Sequence, residues 1–189
     1  CDHSAEMLQR AQQLFAEQAP DANVTFIESP VQALSQHVQG EFDLVLFHAV
    51  LEWVTQPQQL LQQLLAFLKP QGYFSLLFYN RNSLVFRNLL RGNFRKVASD
   101  QFAGDPNSLT PTNPLMPEEV YGWLESMGLS IRTRTGVRML YDYLPRNILE
   151  QRSLEDILDM ERRHCHQQAF IDLGRYIHVL SQLQAQATK

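Results

Sequence analysis

The spacing of apolar residues divides the chain into alternating helix-like and strand-like segments. Met7, Leu8, Ala11, Leu14 and Phe15 recur at helical spacing behind Ser4, a residue type that caps helices by accepting from a free amide. Asp21-Ala22-Asn23 is a turn signal, Val24-Thr25-Phe26-Ile27 reads as a short strand, and residues 31–39 suggest a short helix stopped by Gly40. From Phe42 to Phe47 the chain is almost continuously apolar and is flanked by helical patterns. Such a run predicts a strand buried on both faces of a parallel sheet. His48, Glu52 and Trp53 follow it, at the carboxyl end of the strand, where open α/β sheets bind their ligands. Glu52 and Trp53 are expected near a pocket rim or a helix start.

The pattern continues with Pro57, well placed in the first turn of a helix that carries Leu60, Leu61, Leu64, Leu65, Phe67 and Leu68. Lys69-Pro70-Gln71-Gly72 ends it, and Tyr73 to Tyr79 reads as a strand. Strands alternating with helices at these intervals predict βαβ units and a parallel sheet. A helix is expected from Ser83 to Leu90, ending near Gly92. Residues 96–116 include Gly104-Asp105-Pro106-Asn107 and two further prolines, so they are expected to form a long loop of the kind that serves as a lid or is disordered. Pro117-Glu118-Glu119-Val120 opens a helix to Gly128, and Leu129 to Thr135 alternates as a strand with one wet face. Helical patterning spans Arg146 to Gln168, a last strand covers Arg175 to Leu180, and the Gln/Ala-rich tail is expected to fray. The expected organisation is one domain over 1–189 with helical insertions at about 83–127 and 145–170.

Composition narrows the class. Hydrophobic content of 44% and charged content of 19% are those of a globular protein with a real core, and 189 residues suit one domain. No apolar run approaches the ~18 residues of a membrane span, and Asp2, His3 and Glu6 interrupt any secretory apolar segment. Cys1 and Cys165 give neither a disulfide framework nor metal-ligand spacing, so a reducing, cytoplasmic setting is the expectation. The net charge of −4 is uneven: residues 1–69 hold two basic side chains against eight acidic ones, and residues 81–152 hold ten against seven. Either this is surface scatter or the second half presents a basic face to an anionic partner.

No nucleophile triad, phosphate-binding loop or metal-spaced histidine pair is present. His164-Cys165-His166 are consecutive, and neighbouring side chains on a helix diverge by about 100 degrees, so the three cannot all face one ion. Asp2 stands just before the first helix. It is either an acceptor for ribose hydroxyls at the end of a nucleotide-binding strand or a carboxylate that favours the helix dipole. Arg81, Arg87, Arg91, Arg95, Arg132, Arg134, Arg138, Arg146 and Arg175 dominate the cations of the second half. Guanidinium forks suit carboxylate and phosphate. Arg87, Arg91 and Arg95 are spaced by four and would share one face of a continuous helix, as a phosphate-binding row or a solvated surface. Gly136-Val137-Arg138 and Gly174-Arg175-Tyr176-Ile177-His178 each place an arginine beside glycine, with tyrosine close by.

Phe47-His48-Ala49-Val50-Leu51-Glu52-Trp53 resembles the fourth-strand motif of class I S-adenosylmethionine-dependent methyltransferases. Phe67-Leu68-Lys69-Pro70-Gln71-Gly72 is similar to the turn before their fifth strand, with Gln71 in place of a glycine. Phe78-Tyr79-Asn80, Gly92-Asn93-Phe94, Thr135-Gly136-Val137-Arg138, Asp142-Tyr143-Leu144 and Leu173 to Val179 extend the resemblance over nearly the whole chain. They resemble, more narrowly, the family that methylates the carboxylate of 5-carboxymethoxyuridine at the wobble position of tRNA. The resemblance implies a Rossmann-like α/β sheet with helices on both faces, S-adenosylmethionine as cofactor and tRNA as partner, with no stable protein partner. It implies cofactor contacts from Asp2, Met7, Val31, Gln32 and His48. For the substrate, Arg138 and Arg175 are the expected carboxylate or phosphate partners, with Tyr143, Tyr176 and His178 beside them and Arg87 and Arg91 in reach of tRNA. A carboxylate is already nucleophilic at neutral pH, so positioning by Arg138, Arg175, Tyr176 and His178 replaces acid–base catalysis.

The family's first strand and glycine-rich loop precede the position of Asp2, and both are absent from these residues. The expectation is therefore that the chain enters the domain part-way, leaving an open edge on the 42–47 strand. Two other readings stay open: a methyltransferase acting on a small-molecule carboxylate, and a non-catalytic tRNA-binding fragment. A nicotinamide-dependent oxidoreductase has no matching signature at 48–53.

Overall fold

The computed structural model describes residues 1–102 and 111–185. It divides into two compact units, Cys1–Glu41 and Phe42–Lys189, and Gly104-Asp105-Pro106-Asn107 and the last four residues of the tail lie outside the described residues. In the first unit helix α1 (Ala5–Gln18) starts at Ser4, whose hydroxyl accepts from the Met7 amide. The Val24–Ile27 strand is not formed. A single parallel bridge joins Asp2 to Glu28, built from the Asp2 amide donating to Ile27 O and the Ser29 amide donating to Asp2 O. Two bonds are too few to sustain a ladder. The expected short helix forms as a 3-10 helix, Val31–Gln36.

The second unit is built on a four-stranded sheet: β1 (Phe42–His48), β2 (Leu68–Tyr79), β3 (Leu129–Val137) and β4 (Tyr176–Leu183), in the order β1-β2-β4-β3. The sheet is mixed, not parallel. β1 and β2 run parallel, while β4 inserts between β2 and β3 antiparallel to both. Apolar patterning registers burial, and it is blind to strand direction. β2 also begins earlier than expected, at Leu68, through a register shift against β1 in which Gln71 adopts φ 64°.

One face of the sheet is the core. Phe74, Leu76 and Phe78 of β2 and Ile177, Val179 and Ser181 of β4 are all fully buried. Buried with them are Leu60, Leu61 and Leu64 of α2 (Pro57–Leu65) and Val120 and Leu124 of α5 (Pro117–Ser126). Each apolar side chain of this set contributes about 1.5–3 kcal/mol when fully removed from water. The expectation that the 42–47 strand is buried on both faces fails. β1 is an edge strand of this sheet: Phe42, Leu44 and Leu46 are exposed, and Phe47 alone is buried.

Between β2 and β3, α3 (Arg81–Leu90), α4 (Phe94–Ala98) and α5 follow in sequence. Gly92, at φ 70°, separates α3 from α4, so Arg87, Arg91 and Arg95 do not share one helical face. Part of the expected 96–116 loop is tied down: the Leu115 amide donates to Tyr79 O and the Asn113 amide to Glu52 O. The single 146–168 helix is also broken. α6 (Arg146–Gln151) ends where Arg152 turns extended, and Ser153 then caps α7 (Leu154–His164) by accepting from the Asp156 amide. α8 (Gln168–Leu173) precedes β4. Among the described residues no helix is long and apolar enough to cross a membrane.

Candidate active site

The second sheet face carries the chemistry. Along β2 it presents Tyr73, Ser75, Leu77 and Tyr79, and along β4 it presents Tyr176, His178 and Leu180, since alternate residues of paired strands share a face. At the carboxyl end of β2 the Tyr79 and Tyr176 rings meet edge to face at 5.3 Å. The Arg175 guanidinium stands over both, 5.6 Å from the Tyr79 centroid and 5.8 Å from that of Tyr176.

The backbone that delivers Arg175 is clamped. Asn80, fully buried, donates from Nδ2 to Asp172 O and Gly174 O, each at 2.9 Å, and its Oδ1 caps α3 by accepting from the Asn82 amide. Tyr143 braces the same segment. Its phenol donates to Leu173 O at 2.6 Å and accepts from the Ser83 hydroxyl at 2.8 Å. Burial keeps that phenol protonated by pushing its pKa up.

Facing Arg175 is the 138–142 turn that leaves β3. Arg138 takes a left-handed conformation, φ 57°, and the Glu161 carboxylate of α7 then accepts from three consecutive amides, Met139, Leu140 and Tyr141, at 2.9–3.0 Å. This anchoring presents Asp142 between two cations. Its Oδ1 lies 2.6 Å from Arg138 and 3.4 Å from Arg175. Two guanidiniums share one carboxylate, so the group retains a positive charge. Burial works against the Arg175 cation, but Asp142, Tyr79 and Tyr176 together outweigh it, and the guanidinium pKa is raised. Arg175 Nε is buried without a hydrogen-bond partner among the described residues.

Glu52 does not lie at a pocket rim. It is 1% exposed in the 3-10 turn Leu51–Trp53, its Oε2 has no hydrogen-bond partner among the described residues, and burial pushes its pKa up. Trp53 is exposed. Further along the second face, Ser75 Oγ stands between His48 Nε2 at 2.8 Å and His178 Nε2 at 2.7 Å. Burial, and then the neighbouring His48, lowers the His178 pKa.

The structure thus brings together Arg138, Tyr143, Arg175 and Tyr176, with His178 and His48 farther along the same sheet. Arg87 lies on α3 with its Nε buried and unpartnered among the described residues, and Arg91 is exposed at the end of that helix. Asp2, Met7, Val31 and Gln32 belong to the first unit. There the bridge at Asp2 sets the residues just before Val31 beside the start of α1. Asp2 is half-exposed and accepts from the Ser4 amide through Oδ1 at 2.8 Å. A solvent-accessible carboxylate fits the hydroxyl donors of a ribose, and exposed Met7 offers an apolar surface to a base. His48, exposed, ends β1 just before Ala49 turns left-handed at φ 56°. These residue types suit the donor and acceptor groups of S-adenosylmethionine.

Sequence reasoning did not single out Ser75, Tyr79, Asn80 or Asp142 as site residues. Asp142 lay within a recognised segment, and Phe78-Tyr79-Asn80 likewise, so those signals were present. Ser75 carried none.

Comparison with known proteins bears on the family and the fold. A family model described as a methyltransferase domain matches residues 1–128. A tRNA 5-carboxymethoxyuridine methyltransferase of Escherichia coli (strain K12) is 41% identical over 179 residues, covering 95% of this chain and 69% of the relative. Among solved structures, the plantazolicin methyltransferase BamL, in complex with a triazolic desmethylPZN analogue and SAH, superposes with a TM-score of 0.56 at 17% identity, covering 96% of this chain and 65% of that one. The magnesium protoporphyrin IX methyltransferase of Synechocystis PCC 6803, with bound SAH, gives 0.55 at 15% identity, covering 95% and 60%. At such identities the likeness is one of fold, and the chain spans somewhat less than two thirds of either structure. The family match and the 41% relative carry the assignment further: the chain belongs to the S-adenosylmethionine-dependent methyltransferases.

Proposed function

We propose that the protein transfers a methyl group to the carboxylate of 5-carboxymethoxyuridine at the wobble position of tRNA, giving the methyl ester. The observation that carries the proposal is the Arg138–Asp142–Arg175 cluster beside the Tyr79–Tyr176 pair. One carboxylate between two guanidiniums leaves a fork available to an anionic oxygen pair, and the aromatic rings flank the place where a base would enter. The acceptor carboxylate carries its own lone pairs, so no side chain need remove a proton. S-adenosylmethionine supplies the electrophilic methyl group when bound.

In this reading Arg175 and Arg138 hold the substrate carboxylate, and Tyr176 stacks beside the modified base. Tyr143 and Asn80 keep Arg175 in place. His48 contacts the cofactor from the end of β1, and Arg87 and Arg91 meet tRNA phosphates. A tRNA substrate agrees with a cytoplasmic location. Transfer of labelled methyl from S-adenosylmethionine to tRNA bearing 5-carboxymethoxyuridine tests the proposal. A base-labile methyl ester on that nucleoside is the expected product. Equal activity of the Arg175→Ala protein removes the assigned substrate role. Binding to tRNA should weaken steeply with salt, in proportion to the phosphates neutralised.

A further inference from the structure

Ser75 is buried between two histidine rings that lie 5.7 Å apart, edge to face. The strand register creates this arrangement. Leu77 of β2 pairs with His48 on one side and with His178 on the other, so both rings flank β2 on the face that Ser75 shares. We propose that Ser75 is a positioning residue that makes His48 and His178 share a single Nε2 proton, fixing the two rings in opposite tautomers and holding His48 in one orientation at the end of β1.

The reasoning is a count of protons. A serine hydroxyl has one, so Oγ donates to only one Nε2, and that ring carries its own proton on Nδ1. The other contact, at comparable length, is made only when the second ring has Nε2–H and donates to Oγ. If neither Nε2 carried a proton, a ring lone pair would face oxygen lone pairs at under 3 Å. If both did, the hydroxyl proton would have no acceptor in this array, a costly state for a buried group. The array therefore accommodates one imidazolium and opposes a second.

The surrounding charges favour the same outcome. Tyr73 and Tyr79 of β2 and Tyr176 of β4 share the face, and β3 sets Thr135, without charge, opposite His178. Arg175 immediately precedes β4, Glu52 acts electrostatically on Tyr176, and His166 reaches Thr135 Oγ1 at 3.3 Å. No carboxylate is among the groups that move the His178 pKa, and burial lowers it. Ser75 touches neither substrate nor cofactor in this scheme. Its effect on the reaction runs through His48 and rests on the proposed function, whereas the proton sharing does not.

The test is a two-bond proton–nitrogen spectrum of the 15N-labelled full chain near neutral pH, with the rings assigned through His48→Gln and His178→Gln. One ring is expected as Nε2–H and its partner as Nδ1–H. Both rings in the same tautomer would overturn the proposal. In Ser75→Ala the complementarity should vanish, and in Ser75→Thr, which keeps the hydroxyl, it should return. Should Ser75→Ala not fold, the parent and Ser75→Thr spectra still decide the tautomers. Methylation by Ser75→Ala should fall about tenfold with an altered pH profile, and Ser75→Thr should recover it. An unchanged rate and profile in Ser75→Ala, with the expected spectrum, refutes the positioning role but leaves the proposed function standing. No methylation by the parent chain refutes the proposed function alone, because the spectrum reports the shared proton without turnover.

Discussion

Asn80 offers the sharpest test of how the site is held. Its Nδ2 closes on two carbonyls of the 172–174 segment, and its Oδ1 caps α3. Replacing it by alanine leaves the Asp172 and Gly174 carbonyls without those donors and the Asn82 amide without its acceptor. A lost bond that strands a buried polar group costs about 1–3 kcal/mol, and a lost cap about 1 kcal/mol. Because each carbonyl has a second lone pair, the lower part of the range applies, and the sum is about 3–5 kcal/mol. For a chain of this size that corresponds to a fall in Tm of roughly 6–20 °C. Urea unfolding followed by circular dichroism measures it directly.

The aspartate variant separates clamp from cap. Asn80→Asp keeps an acceptor at the α3 N-terminus, where the helix dipole favours a carboxylate. It also sets a buried carboxylate oxygen against two carbonyl oxygens, so it should be at least as damaging as alanine. An Asn80→Asp protein as stable as the parent would show that the cap dominates and would refute the clamp.

Other outcomes follow from the same geometry. Arg175→Lys should raise KM for tRNA about tenfold in steady-state methylation assays, because an ammonium cannot reproduce the guanidinium fork or its stacking on Tyr79 and Tyr176. Gly136→Ala should lower Tm markedly, since its Cβ would sit 2.5 Å from Phe170 O and 2.9 Å from Ile171 Cα, both backbone atoms. Gly122→Ala, with nothing within 4 Å on α5, should instead stabilise by about 0.5–1 kcal/mol. The pH dependence has two opposite components. Glu52 has a raised pKa, so its contribution is complete below about 4.3 and is lost as pH rises through the folded value; Glu52→Gln should therefore raise the urea midpoint at pH 7. His178 has a lowered pKa, so its contribution is present above about 6.5 and is lost as pH falls through the folded value; His178→Gln should flatten the acid side of the same series.

Much of the fold was legible because burial leaves periodic traces. Ser4, Pro57 and Pro117 marked helix starts correctly, and the leucines of α2 and the apolar run of β2 follow their respective periods. The misreadings have local causes. Gly92 divides what spacing alone made one arginine face, and Ser153 starts a new helix inside a continuous pattern. For the site, glycine-flanked arginines and nearby tyrosines pointed to Arg138 and Arg175. Ser75 was invisible because its role depends on partners 27 and 103 residues away. A serine in an apolar strand has the same sequence signature whether it merely packs or holds two histidines.

The alternation along β4 explains why stability and chemistry are inseparable here. Ile177, Val179 and Ser181 face the core, while Tyr176, His178 and Leu180 face the site, so a slip of one residue would exchange the two sets completely. Burying Tyr176 and His178 while exposing Ile177 and Val179 is a loss the sheet cannot offset. Register is further fixed at the carboxyl end of β2, where Asn80 grips the residues leading into β4, and at β3, where Gly136 lets α8 approach. Both restraints act within a few residues of Arg175. The guanidinium position is therefore set by the backbone around it, and substitutions that loosen either restraint should weaken substrate binding even where every site side chain remains.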